Sequence, residues 1–239
     1  MTSEVSLDEA AAAFASLAQM VYQGHAYDQI FGEICRTALT VVPGCDRACI
    51  TTVGADQQPV LEATTDDIAA YVDKLEWEVG EGPCRDAIVT QRFEWDADIT
   101  VHPAWPKLAE RILRETPVRG MIGYRIMVEG RKVGALNMFS DVPGAFTQEA
   151  ADMGALLVSF ASVALSAATQ REEATSLREA MMSNREIGKA VGMLMATHDL
   201  TDAEAFQRLR AASNRLNTRL ADIAAQVVAD HSVIREDPS

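Results

Sequence analysis

Apolar residues in the first forty positions recur at helical spacing. Leu7, Ala11, Phe14, Leu17, Ala18 and Val21 share one face of a helix from residue 7 to about 23. Ser6 is placed to cap that helix, with Glu9 completing a capping box. Tyr27 to Val42 repeats the pattern through Ile30, Phe31, Ile34, Ala38 and Val41, and Pro43-Gly44 ends it. The period then shortens. Ala48 to Val53 is β-branched and reads as a strand, Gly54-Ala55-Asp56 turns the chain, and Pro59 to Ala63 returns it. Asp66 to Glu76 reads as a helix, and Pro83 opens a short one running to about Gln91. Phe93 to Trp95 is a short strand, residues 97–103 a loop and Ala104 to Glu115 a helix. Gly120 to Val128 and Lys132 to Phe139 are strands joined by a turn at Glu129-Gly130-Arg131. Thr147 caps a long helix. The order predicts an α+β fold: an antiparallel sheet flanked by helices, followed by a long connecting helix and further helical segments.

Beyond Gln148 the helical pattern runs on, with no glycine between Gly154 and Gly188. Phe160, Ala164, Ala167, Ala174, Leu177 and Met181 form a heptad-like seam, interrupted at Gln170 and Arg171. The seam predicts a homodimer-forming coiled coil, although a helix packed on its own domain gives the same pattern. Three helical segments follow: Glu173 to Thr197, Asp202 to Ala212 with Thr201 and Glu204 as a capping box, and Asn217 to Asp230. Residues 231–239 read as a polar tail. No run of about 18 unbroken apolar residues occurs, and Met1-Thr2-Ser3-Glu4 lacks the basic start of a signal peptide. The expectation is a cytoplasmic protein with no membrane partner.

Charge changes the picture only locally. The net charge is −14, but residues 1–170 carry 12 basic and 24 acidic side chains, whereas residues 171–239 carry 9 and 11. Residues 178–219 hold seven basic side chains against five acidic ones, a basic centre in an acidic chain. Cys35, Cys45, Cys49 and Cys84 include no CxxC pair, and no metal motif, phosphate-binding loop or nucleophile elbow is present. The chain reads as a non-enzyme. Gly192, inside a helical pattern, costs about 1 kcal/mol against alanine. Its small neighbours Gly188 and Ala190 point to helix packing there, with close approach of a ligand as the alternative.

Residues 185–228 resemble the ANTAR domain. The resemblance rests on Arg185-Glu186-Ile187-Gly188-Lys189-Ala190-Val191-Gly192-Met193-Leu194-Met195, on Ala203, Ala205, Phe206, Leu209 and Arg210, and on Ser213, Asn217, Leu220, Ile223 and Ala224. It implies a three-helix bundle that binds RNA hairpins in nascent transcripts and favours antitermination. The family commonly has Ala-Lys-Gly where this chain has Ala190-Val191-Gly192; the lysine sits two positions earlier, at Lys189, turned by about 200° on a helix. The residues expected to bind RNA are Arg185, Lys189, Ser213, Arg215, Asn217, Thr218 and Arg219. The last five are read as the polar, basic start of the third helix, where free N–H groups favour phosphate.

Residues 26–169 resemble a GAF domain, through Gly80-Glu81-Gly82-Pro83-Cys84, Trp95, His102-Pro103, Trp105-Pro106, Val133 to Met138 and Pro143 to Thr147. The resemblance implies a sensory domain with a small-molecule pocket; its ligand and any cofactor are unknown. Trp77, Trp95, Trp105, Tyr124 and Met138 are the expected apolar lining of that pocket, with plain core packing as the equal alternative. Cys84 is read as structural and His102 as a turn residue; the alternative is a haem- or thiol-based sensor whose C-terminal helices bind a protein. The resulting division is an N-terminal helix (1–25), a sensory domain (26–169), a connector (170–184), an RNA-binding domain (185–230) and the tail.

Overall fold

The computed structural model describes residues 7–54, 58–89 and 93–235. The expected Ser6 cap, most of the turn at Gly54-Ala55-Asp56, the helix end near Gln91 and residues 236–239 lie outside the described residues. The chain divides into two compact units between Gln170 and Arg171.

The first unit is built on one sheet of β1 (Arg47–Val53), β2 (Pro59–Thr64), β3 (Phe93–Asp96), β4 (Gly120–Val128) and β5 (Arg131–Ser140). The strand order is β2-β1-β5-β4-β3, with every neighbouring pair antiparallel. Successive side chains on a strand face opposite ways, and the sheet uses both faces. Ala48, Ile50, Ile122, Tyr124, Ile126, Leu136 and Met138 pack with α1 (Leu7–Gln23), α2 (Tyr27–Val41) and the first half of α6 (Gln148–His198). The alternate residues Cys49, Met121, Ala135 and Phe139 join smaller clusters formed with α3 (Asp67–Val79), α4 (Pro83–Val89) and α5 (Pro106–Glu115).

Local chemistry explains several ends. Asp66 caps α3 by accepting from the Ala69 N–H at 2.7 Å, and its other oxygen accepts from Arg47 Nε at 2.9 Å. Arg47, buried on β1, also forks onto Asp141, so one guanidinium ties the start of β1 to α3 and to the end of β5. The β4–β5 turn is shorter than expected: Arg131 pairs with Val128, leaving Glu129 (φ 50°) and Gly130 (φ 75°) as a two-residue loop. Positive φ at both central positions matches the twist of the strands. Helix α5 starts at Pro106 rather than at Ala104, because the residue before a proline is pushed out of helical conformation; Trp105 has φ −122° and ψ 80°.

Helix α6 is long and apolar enough to cross a membrane by length and composition. Its residues Leu157, Val158, Ala161 and Leu165 are instead buried in the core of the first unit. The expected dimer seam divides in the same way. Ala164 is buried and Phe160 packs against Phe14 with ring centroids 5.2 Å apart, so both are spent inside the unit. Ala167, Ala174, Leu177 and Met181 are exposed.

The second unit contains the end of α6, α7 (Asp202–Leu216) and α8 (Leu220–Arg235) around a core of Ala190, Val191, Ala205, Leu209, Ile223 and Ala224. Thr201 and Glu204 form the expected capping box. The third helix, however, starts at Leu220. Residues 213–216 are the last turn of α7, and Asn217 closes it in the left-handed conformation (φ 49°, ψ 42°). Asparagine tolerates that conformation better than most residues, and the Thr218 N–H returns to the Ser213 carbonyl at 3.1 Å.

Candidate functional site

Two places collect chemistry. The first lies under α3, on the sheet face opposite α6. Helix α3 presents Ala69, Val72 and Leu75 to the core, yet carries Asp73 and Glu76 among them, 4 % and 0 % exposed. Asn137 of β5, fully buried, donates through Nδ2 to Asp73 Oδ1 at 3.3 Å and to Cys49 Sγ at 3.8 Å. Glu76 Oε2 accepts from the Cys84 N–H at 2.8 Å. Gly82, with φ 141°, gives the Glu76 carboxyl room that a Cβ would fill. Burial holds both carboxyls above their ordinary range, and the charge of Asp73 raises Glu76 further. Glu76 Oε1, Asn137 Oδ1 and Trp77 Nε1 are buried and lack a partner, a costly state for a closed core. Beside them a surface recess of about 510 Å³ is lined in part by Pro59, Leu61, Asp73 and Trp77.

The five residues expected to line one pocket are split between the faces. Tyr124 and Met138 are core on the α6 side, where Trp95 packs against them. Trp105 is buried on the opposite side with its Nε1 donating to Asp86 at 2.9 Å, and Trp77 packs there against Cys84, Ala87 and Ala135. Tyr124 of β4 and Met138 of β5 fall together because they share one face of the sheet; Trp77 of α3 and Trp105, at the start of α5, lie on the other. The buried polar residues Asp73, Glu76 and Asn137 were not singled out by sequence reasoning. Their signal is present: charged residues within the apolar stripe of α3, and an asparagine between Leu136 and Met138.

All four cysteines are free and buried. Burial pushes Cys35 to about 12 and raises Cys45, Cys49 and Cys84 as well. The thiolate is disfavoured at each site, so the place of Cys84 in the first turn of α4 does not activate it. His102 is exposed and has φ 52°, a turn residue. Among the described residues no group of three or more His, Cys, Asp or Glu is arranged to hold a metal.

The second place is the solvent face of the C-terminal unit. On α6, Ile187, Ala190, Val191 and Leu194 turn to the core, so the opposite face carries Arg185, Gly188, Lys189 and Gly192, all exposed. Val191, where the family has lysine, is a core residue. Lys189 pairs with Glu186 at 2.6 Å. A Cβ on Gly188 or Gly192 would meet nothing within 4 Å, so helix packing does not explain Gly192. The turn after α7 holds the other expected residues. Arg215, Asn217 and Arg219 are exposed, whereas Ser213 donates its hydroxyl to the Thr218 carbonyl at 2.6 Å and Thr218 donates to the Leu216 carbonyl at 3.2 Å. Arg215 and Arg219 therefore flank a turn and do not share a helix face. Arg208, on a shallow groove of α7 with Leu200, Glu204 and Gln207, is a further cation that sequence reasoning left unplaced.

The GAF domain family model matches residues 24–166, and the ANTAR domain model matches residues 175–228. No curated protein matches the chain. Among solved structures, the phycoerythrobilin-bound GAF domain from a cyanobacterial phytochrome is similar over 70 % of this chain and 98 % of its own, with TM-score 0.54 and 13 % identity. Free methionine-R-sulfoxide reductase from Neisseria meningitidis, in complex with its substrate, is similar over 72 % and 98 %, with TM-score 0.53 and 16 % identity. The Stigmatella aurantiaca phytochrome photosensory core module is similar over 89 % of this chain and 46 % of its own, with TM-score 0.55 and 12 % identity. At such identities the likeness establishes the fold alone.

Proposed function

The chain belongs to the GAF domain family and carries an ANTAR domain behind it, a sensor joined to a regulator, and from that premise we propose that it is a cytoplasmic, signal-responsive antiterminator that binds hairpins in nascent RNA. The observation that carries this reading is the solvent face of α6 in the second unit. It combines Arg185 and Lys189 with two helix-interior glycines open to solvent. Each glycine weakens the helix by about 1 kcal/mol with no packing gain in the chain. Close approach of a ligand is what such a surface offers, and the neighbouring cations favour phosphate. Short turns at 199–201 and 217–219 reverse the chain twice, and Arg215, Asn217 and Arg219 stand exposed at the second of them. Loop bases of a hairpin supply edges that a duplex hides.

The reading includes a homodimer and a small ligand on the sensory unit. Every residue from Arg171 to Met182 of α6 is exposed. A helical stretch of that length is marginal alone in water. Ala167, Ala174 and Met181 repeat every seven residues, as do Leu156, Val163 and Leu177 around Gln170. Such a stripe is self-complementary for a second copy in parallel. Crosslinking of RNA to the full chain in its own cells tests the function: enrichment of hairpins upstream of terminators supports it, and enrichment of no structured RNA refutes it.

A further inference from the structure

The inner face of α3 carries two acids one turn apart, Asp73 and Glu76, and both are buried. Among the described residues neither forms an ion pair. The cations of the surrounding elements are engaged elsewhere. On α3, Lys74 pairs with Glu78; on α5, Arg111 pairs with Glu78 and Glu115, Arg114 with Glu115 and Lys107 with Glu81. Arg85 of α4 is exposed and donates to the Gly80 carbonyl. Arg125 of β4 leaves the same sheet face beside Ala135, with its Nε buried and unpartnered. Glu62 of β2 accepts from Thr52 at 2.5 Å. Cys49 of β1 and Cys84 and Asp86 of α4 add groups that are neutral or negative.

The cluster is also short of hydrogen-bond donors. Asn137 Nδ2 reaches Asp73 at 3.3 Å, and the Cys84 N–H reaches Glu76 at 2.8 Å. Glu76 Oε1 and Asn137 Oδ1, both on fully buried residues, are acceptors left without a partner. A proton on a carboxyl turns one acceptor into a donor and removes one of two like charges. The segment Gly80–Cys84 closes over this place. Gly80 and Gly82 have φ 78° and 141°, conformations open to glycine, and a Cβ on Gly82 would collide with the Glu76 carboxyl. Apart from Glu76, the segment is tied by groups near the surface: Glu81 accepts from the Lys107 N–H at 3.0 Å, and Arg85 folds back on Gly80.

We propose that the Asp73–Glu76 pair is a proton-operated latch: with a proton bound, residues 80–84 stay closed over Glu76, and release of that proton to solvent opens them to water. Two buried like charges without a cation are costly. Lifting a segment hinged at two glycines brings water to Glu76 as a local opening. Linkage fixes the sign. The closed state binds the proton more tightly than the open one, so opening is rarest in mild acid. It grows as pH rises from the ordinary carboxylate range toward the raised values of the closed state. The latch lies wholly in the first unit, adds the proton to the inputs of the sensory domain and does not rest on RNA binding.

The test is hydrogen exchange of the full chain by mass spectrometry, corrected for the intrinsic pH dependence of exchange, over about pH 5 to 8. Protection of residues 80–87 should fall by up to about tenfold per pH unit, the limit for one linked proton. Residues 133–139 of β5 should stay better protected at every pH, which marks the opening as local. Glu76→Gln, the isostere of the protonated acid, should keep at the alkaline end the protection that the parent shows at the acid end. Asp73→Asn removes the like charge, so the fall should end at lower pH. The parent profile decides the matter by itself if Glu76→Gln does not fold. A parent profile flat in pH, residues 80–87 exchanging in step with 133–139, a fall that survives in Glu76→Gln, or an end point unmoved by Asp73→Asn overturns the proposal. Hairpin RNA binding measured on the same samples reports separately on the function proposed above.

Discussion

Replacing Gly192 with alanine separates stability from function. The residue sits inside α6, exposed, and a Cβ there meets no atom within 4 Å. Alanine therefore enters without strain and removes the entropic cost of glycine in a helix, which predicts a gain of about 0.5–1 kcal/mol. Urea denaturation followed by far-ultraviolet circular dichroism measures that gain in the transition of the second unit. If the open backbone is where RNA approaches, the same methyl group holds the phosphates or loop bases away. Hairpin affinity should then fall about tenfold or more, about 1.4 kcal/mol in binding. A more stable protein that binds RNA less well is the signature of a residue kept for function. Unchanged hairpin affinity with the stability gain would refute the argument that the glycine serves the interface. No stability gain would refute the geometry itself.

Three other outcomes follow from particular contacts. Burial raises Glu76 and Asp73 in the fold, so the folded state holds their protons longer than the unfolded chain does; stability should be highest in mild acid and fall as pH rises from the ordinary carboxylate range toward the raised folded values. Glu76→Gln, which mimics the acid form, should flatten that slope in urea midpoints between pH 5 and 8, and a slope equal to that of the parent would contradict the assignment. Arg47→Met removes the cation shared by Asp66 and Asp141, both about a third exposed; a loss of about 2–4 kcal/mol in chemical denaturation is expected, and less than 0.5 would mean that the fork carries no stability. Leu177→Arg with Met181→Arg should turn a dimer into a monomer in sedimentation, and a parent chain that is monomeric with and without RNA would exclude the parallel stripe.

What was legible in the sequence was local. The capping box at Thr201 and Glu204 and the pairing of β4 with β5 depend on neighbouring residues, and a one-dimensional pattern carries them. The junction of α7 and α8 was misread because Ser213, Asn214, Asn217 and Thr218 suit both the end of one helix and the start of the next. The left-handed conformation of Asn217 decides it, and no spacing reveals that. Phe160 and Ala164 fitted a dimer seam equally well, because an apolar stripe does not name its partner. Asp73 and Glu76 drew no reading from the sequence, because only the sheet opposite α3 shows that they are buried beside Asn137. The openness around Gly192 required knowing which face of α6 meets α7 and α8.

The central claim is that the exposed basic surface of the second unit binds RNA, and its most direct test is the salt dependence of hairpin affinity. A structured hairpin drawn from the crosslinked set should bind the full chain with a log–log salt slope set by its phosphate contacts. Arg185→Ala, Arg215→Ala and Arg219→Ala should each weaken binding and reduce the slope by about one unit. Affinity indifferent to salt, or unchanged when all three arginines are removed together, would contradict the account.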